Sequence, residues 1–192
     1  MSLGLDDLTA RAYELIAAGD LGRARAALEE GLGGAALDAD DLTAEAAEAA
    51  SLYARVLLAT GELQPARAWA TYAHAAAHRL HGPADSRTVR DAATLAAVLH
   101  RVGELAAAEE LYREVIARLS AFDGPGSPRA LAARADRATV LHAAGRCRDG
   151  RGELAGALAA HQAGYGLAEP AGIRMLARLA GMTRDCGDEA AA

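Results

Sequence analysis

A glycine returns along this chain at a constant interval: Gly19, Gly61, Gly103, Gly145 and Gly187 stand 42 residues apart. Other columns keep the same phase. Seven residues before each glycine stands an alanine (Ala12, Ala54, Ala96, Ala138, Ala180), and four before it Leu15, Leu57, Leu99, Leu141 and Thr183. Two after it come Leu21, Leu63, Leu105 and Cys147; five after it come Ala24, Ala66, Ala108 and Gly150. A period of this length marks a stack of supersecondary units, each burying its apolar face against the next. A four-helix bundle does not require such phasing.

Within one period the apolar spacing is helical. Val89, Ala92, Leu95, Ala96 and Leu99 recur at three and four residues, and so do Leu105, Ala108, Leu111, Tyr112, Val115 and Leu119 after Gly103. The glycine sits where one helix stops and the next begins, the usual place for positive φ. Asp20, Glu62 and Glu104 follow it and suit the positive end of the second helix. Pro65 falls in a helix's first turn, where its missing N–H costs little. HGPADS (81–86) and DGPGSP (123–128) are equivalent linkers, with Ser127-Pro128 and Glu169-Pro170 as helix starts and Gly33-Gly34 as the first break. The pattern predicts helices over 5–18, 21–37, 41–59, 62–80, 86–101, 104–121, 128–143, 148–163 and 171–184. Facing alanines bring two helices together while leucines fill the spaces beside them. The whole chain reads as one repeat domain with units 1–38, 39–82, 83–124 and 125–166 and a terminal helix in 167–192.

Hydrophobic residues make up 52% of the 192 and aromatic ones only 4%, so the interior is built largely of alanine. All 20 basic residues are arginine, and neither lysine nor asparagine occurs. A net charge of −6 argues against nucleic-acid binding driven by phosphate neutralisation. No basic and apolar leader opens the sequence and no apolar run is long enough to span a bilayer, which points to the cytoplasm and away from membranes. Cys147 and Cys186 form no C-x-x-C pair, and Cys147 reads as a small hydrophobe in a leucine column.

These columns resemble the tetratricopeptide repeat in its 42-residue variety, found in kinesin light chains and many actinobacterial proteins. The likeness rests on Leu95, Ala96, Leu99, Gly103 and Ala108, on Tyr53, Ala54, Leu57, Gly61 and Ala66, and on the HGPADSRT and DGPGSPRA linkers; it runs over about residues 5–187. It implies an all-α, right-handed superhelical solenoid of antiparallel helix hairpins. It also implies a concave groove lined by the first helix of each unit. The groove files that carry over are Asp6, Glu48, Arg90, Ala132, Arg174; Tyr13, Arg55, Ala97, Thr139, Gly181; and Ile16, Leu58, His100, His142, Arg184, flanked by Ala17, Ala59, Arg101, Ala143 and Asp185. The family's groove asparagines are missing here, and Ala93-Thr94 stand where an asparagine pair is common.

The resemblance thus implies a non-catalytic protein- or peptide-binding scaffold. Arg55, Arg90, Arg101, Arg174 and Arg184, with His100 and His142, form a strip suited to an acidic partner. Two other roles are open: a sensor module of a transcriptional or signalling system, and self-association through the solenoid ends. For the latter, Ile173, Met175, Leu176, Leu179 and Met182 make the last helix apolar with no second helix to follow, so homodimerisation through it is an expectation. No catalytic, cofactor or metal motif emerges; His74, His78 and His81 share a helix face but lack a further ligand. Gly150, Gly152 and Gly156 make the fourth hairpin the one expected to be softest.

Overall fold

The computed structural model describes residues 4–32, 43–166 and 168–189. Among the described residues every regular element is helical. The helices are α1 (Leu5–Ala17), α2 (Leu21–Leu32), α3 (Ala44–Thr60), α4 (Leu63–His81), α5 (Ser86–Arg101), α6 (Leu105–Asp123), α7 (Pro128–Ala143), α8 (Cys147–Tyr165) and α9 (Pro170–Glu189). No helix is long and apolar enough to cross a membrane. The Gly33-Gly34 break and the predicted helix residues 33–37 and 41–42 lie outside the described residues.

Two kinds of turn alternate. At Gly61 the backbone is left-handed (φ 83°, ψ 12°), and the N–H of Glu62 reaches back 2.9 Å to the carbonyl of Leu57. The same bond joins Asp20 to Leu15 and Arg146 to Leu141, so the leucine column supplies the carbonyl that closes each helix. Between hairpins, Gly82 holds φ 82° with ψ 168°, a region that a side chain forbids. Gly124 and Gly166 repeat it. From Gly61 to Gly166, positive-φ glycines therefore recur every 21 residues, half the sequence period.

Helix starts follow the linker chemistry. Ser127 caps α7 through the N–H of Ala130 with Pro128 as first helical residue, and Asp85 caps α5 through Arg87. Glu169 accepts from the N–H of Ala171 at 2.8 Å ahead of α9. Of the three acidic residues after the repeat glycines, Asp20 alone caps its helix, accepting from Arg23 N at 3.0 Å. Glu62 and Glu104 do not, their side chains making no cap bond. Glu62 instead receives the hydroxyl of Thr60 and ion-pairs with Arg25 at 2.9 Å.

Contacts divide the chain into two compact units, Met1–Val102 and Gly103–Ala192. In the first, α1 pairs with α2 and α3 with α4, while α1 also packs on α3 and α3 on α5. The alanines that let these helices approach, Ala12 with Ala24 and Ala54 with Ala66, are wholly buried, and Leu28, Leu52 and Leu57 fill the remaining space. Trp69 lies at the edge of this core, its ring 5.3 Å from Tyr53 in an edge-on contact. In the second unit α7 pairs with α8, and α9 covers both. Met175 and Met182 of α9 are buried among Leu131, Ala138, Leu154 and Leu158.

The last helix departs from the repeat. It runs to Glu189, through Gly187, where the four earlier glycines of the column end a helix. Ala180 is correspondingly exposed, whereas Ala12, Ala54, Ala96 and Ala138 are fully buried. Helix α8 also forms without interruption through Gly150, Gly152 and Gly156.

Candidate functional site

The first unit builds its polar face from three neighbouring helices. Glu48 on α3 lies 2.8 Å from Arg90 on α5, one full period further along the chain. Arg90 also reaches Asp91 at 2.9 Å, and Asp91, only 2% exposed, accepts the hydroxyl of Ser51 at 2.6 Å. From α1, the Tyr13 hydroxyl donates to Glu48. One guanidinium therefore ties together two carboxylates from successive repeats, and every member has a partner.

Electrostatics follow from that geometry. Burial alone would raise Glu48, yet the hydrogen bonds from Arg90 and Tyr13 hold it below the usual carboxylate range. Asp91 goes the other way, because burial outweighs its bonds from Arg90 and Ser51. Burial would lower Arg90, but its bonds to Glu48 and Asp91 keep it charged throughout. Tyr13 is raised by burial and by the adjacent Glu48.

The second unit has two polar clusters. Arg137 on α7 bridges Glu153 on α8 at 2.8 Å and Glu109 on α6 at 3.1 Å, with Arg146 adding a bond of 2.9 Å to Glu109. Glu109 sits below its ordinary range: burial opposes ionisation, and the two arginines overcome it. The other cluster joins α7, α8 and α9. His142 Nδ1 lies 3.6 Å from Cys147 Sγ and 3.5 Å from Cys186 Sγ, and His142 Nε2 lies 3.5 Å from an Asp185 carboxylate oxygen. Neither cysteine is in a disulfide.

The predicted strip is thus differentiated. Arg90 spends its donors on Glu48 and Asp91, and His142 faces Asp185 and the two thiols. No hydrogen bond or ion pair joins Arg55, Arg101, Arg174 or Arg184 to another described residue. Arg55 is half-buried within the field of Glu48 and Tyr13, while Arg101, Arg174 and Arg184 are exposed. His100 is half-buried. His74 and His78 place their rings 6.4 Å apart on α4. Among the described residues, the group of His, Cys and carboxylates whose ligand atoms lie mutually in range is His142, Cys147 and Cys186. Sequence spacing gave no sign of it, since its members come from three helices and no two fall in one column.

Solved structures of similar fold are found among repeat proteins. Two structures of a kinesin light chain-type protein from Podosopora anserina, with nearly identical TPR-like repeats, match with TM-scores of 0.77 and 0.74. They are 19% and 20% identical, and each match covers 96% of this chain and 87% of the other. BtubC (BKLC) from P. vanneervenii matches with a TM-score of 0.74 at 18% identity, over 94% of this chain and 72% of that one. No protein-family model and no curated protein matches the sequence. The fold is that of the tetratricopeptide-like repeat, all-α and built of helix hairpins, as the 42-residue recurrence predicts.

Proposed function

We propose that this chain is a non-catalytic scaffold that binds a protein or peptide of acidic character along the first helices of its repeats, as a repeat domain divided as predicted above. The observation carrying this reading is the contrast among its arginines. Arg90 is neutralised from within, whereas Arg55 and Arg101 of the first unit and Arg174 and Arg184 of the second have no carboxylate within ion-pair range among the described residues. A guanidinium left without an internal partner offers five donors in a planar fork to an incoming carboxylate. Glu48, Arg90 and Asp91 serve as a rigid floor that shapes the first unit's part of that surface.

A random peptide library displayed against the full chain tests this. Recovered peptides are expected to be enriched in Asp and Glu, with affinity that falls as salt rises. Arg55→Ala with Arg101→Ala is expected to weaken a recovered peptide by about tenfold or more, each charged contact contributing roughly 1 kcal/mol. Unchanged affinity and unchanged salt dependence in that double variant would end the proposal.

Self-association is a second reading, favoured by Ile173 and Leu176 on α9, which are 53% and 52% exposed. Sedimentation over a wide concentration range distinguishes the two. A chain that stays monomeric, and whose Ile173→Ser variant behaves identically, leaves α9 as a cap. A sensory role within a larger regulatory system would use the same surface.

A further inference from the structure

The geometry points to a binding site for a thiophilic metal ion of the zinc(II) class, formed by His142, Cys147 and Cys186 where α7, α8 and α9 meet. The three donor atoms lie within 4.8 Å of one another. Both sulfurs face the same ring nitrogen, at 3.6 and 3.5 Å from Nδ1. In tetrahedral zinc sites the bonds are about 2.3 Å to sulfur and about 2.0–2.1 Å to nitrogen, so neighbouring sulfur and nitrogen ligands stand about 3.5–3.6 Å apart. The two sulfur–nitrogen separations match two edges of such a tetrahedron.

Both sulfurs converge on one ring nitrogen, which can accept from only one thiol at a time. A neutral imidazole offers one in-plane lone pair, and S–H is also a weak donor. A cation between the three atoms satisfies all of them at once, with each thiol giving up its proton to solvent as it binds. Outside the cluster the ring is turned as a metal ligand requires. Nε2 faces Asp185 Oδ2 at 3.5 Å, so the carboxylate favours the tautomer with its proton on Nε2 and leaves the Nδ1 lone pair for the ion.

The repeat shows how the site was assembled. At the equivalent positions one period earlier stand His100, Leu105 and Ala144, and two periods earlier Leu58, Leu63 and Val102. The set of three ligands is complete only in the last unit. That unit also replaces the column alanine by Gly150, where a Cβ would lie 2.8 Å from the Ala138 carbonyl and 3.1 Å from the His142 nitrogen. The missing methyl lets the first turn of α8, which carries Cys147, press against the turn of α7 that carries His142. Cys186 then arrives on α9, the helix that runs one turn past its predicted end. Two thiolates and an imidazole select a soft or borderline ion over magnesium or calcium. Cys147 and His142 are half-buried, so the fourth vertex faces solvent and takes a water. Bound there, the ion clips α9 to the last hairpin.

The test uses the reduced full-length chain, stripped with a chelator and titrated with zinc(II) against a chromophoric competitor. Cobalt(II) substitution reports the ligands, since thiolate-to-cobalt charge transfer scales with the number of sulfurs bound. The expected results are one ion per chain, a tetrahedral cobalt spectrum, and a thermal midpoint raised by zinc. Cys147→Ser and Cys186→Ser, each verified as folded by circular dichroism, should each lose about half of the charge-transfer intensity. Asp185→Asn, an exposed change that leaves packing alone, should weaken zinc about tenfold to a hundredfold. The proposal fails if the wild-type chain binds less than one equivalent or gives no charge-transfer band. It fails equally if the folded cysteine variants keep the full band, or if Asp185→Asn binds zinc as tightly as the wild type.

Discussion

Two ion pairs among the described residues span one repeat period each, and they differ in what surrounds them. Glu48–Arg90 in the first unit and Asp136–Arg178 in the second close at 2.8 and 2.7 Å. The first adjoins Asp91, which is almost inaccessible, and is locked by Ser51 and Tyr13. The second is a bare surface pair, its side chains 42% and 44% exposed. The same column spacing therefore places a carboxylate opposite a guanidinium in both units, but only burial turns the pairing into structure. Desolvated charges are costly to leave unpaired, whereas exposed ones are solvated well whether they pair or not.

Removing a carboxylate from each side should break the symmetry most visibly. Asp91→Ala strands the Ser51 hydroxyl and takes one counterion from Arg90, and should cost about 2–3 kcal/mol. Asp136→Ala should cost less than about 1 kcal/mol. Urea denaturation of the two variants measures both; equal losses would mean that burial is not what separates the pairs.

The hairpins sharpen the contrast next. The alanine column of α2 and α4 is replaced in α8 by Gly150, whose neighbours leave no room for a methyl. Gly150→Ala gains about 1 kcal/mol of helix propensity but must push α8 off α7, for a net loss of about 1–2 kcal/mol. Gly152→Ala, two residues on and with open space around it, should instead gain up to about 1 kcal/mol. Thermal melting of the pair reads the sign of each change.

Smallest is an alkaline effect. Tyr112 in the second unit is raised well above its ordinary value of 10.0, first by burial and then by Asp136. The unfolded chain releases that proton while the native chain still holds it, so stability falls as pH rises past the unfolded value. Between about pH 10 and pH 11 the loss attributable to Tyr112 is about 1 kcal/mol. Tyr112→Phe should flatten that part of the stability profile.

The fold was legible because the period is written in residues with few alternatives. A left-handed turn wants glycine, a close helix crossing wants alanine, and Ser127-Pro128 starts a helix by local chemistry alone. Helix α9 was misjudged at its end because Gly187 repeats the column glycine but lies inside the helix, without the left-handed turn of the four earlier ones. Glu62 and Glu104 were read from their position near helix starts, and the neighbouring Thr60 and Arg25 claimed Glu62. The site was less legible. Column arithmetic put Glu48 and Arg90 in one file, but nothing in it tells that an arginine is already neutralised by a carboxylate of the preceding repeat. The cluster around His142 was invisible, since Cys147 looks like a small leucine and Cys186 like a stray terminal cysteine until three helices converge.

The glycines that recur every 21 residues carry a consequence for how such a chain changes length. Each marks a seam where one helix is complete and no side chain is needed, so material added or lost between equivalent seams arrives as a whole hairpin. A duplication cut at Gly61 and Gly103 would keep every leucine facing its carbonyl and every alanine facing its gap. A single inserted residue inside a helix would rotate all that follows by about 100°. Growth in this protein is therefore metered, and its seams are the places where the gene can be spliced without the fold noticing.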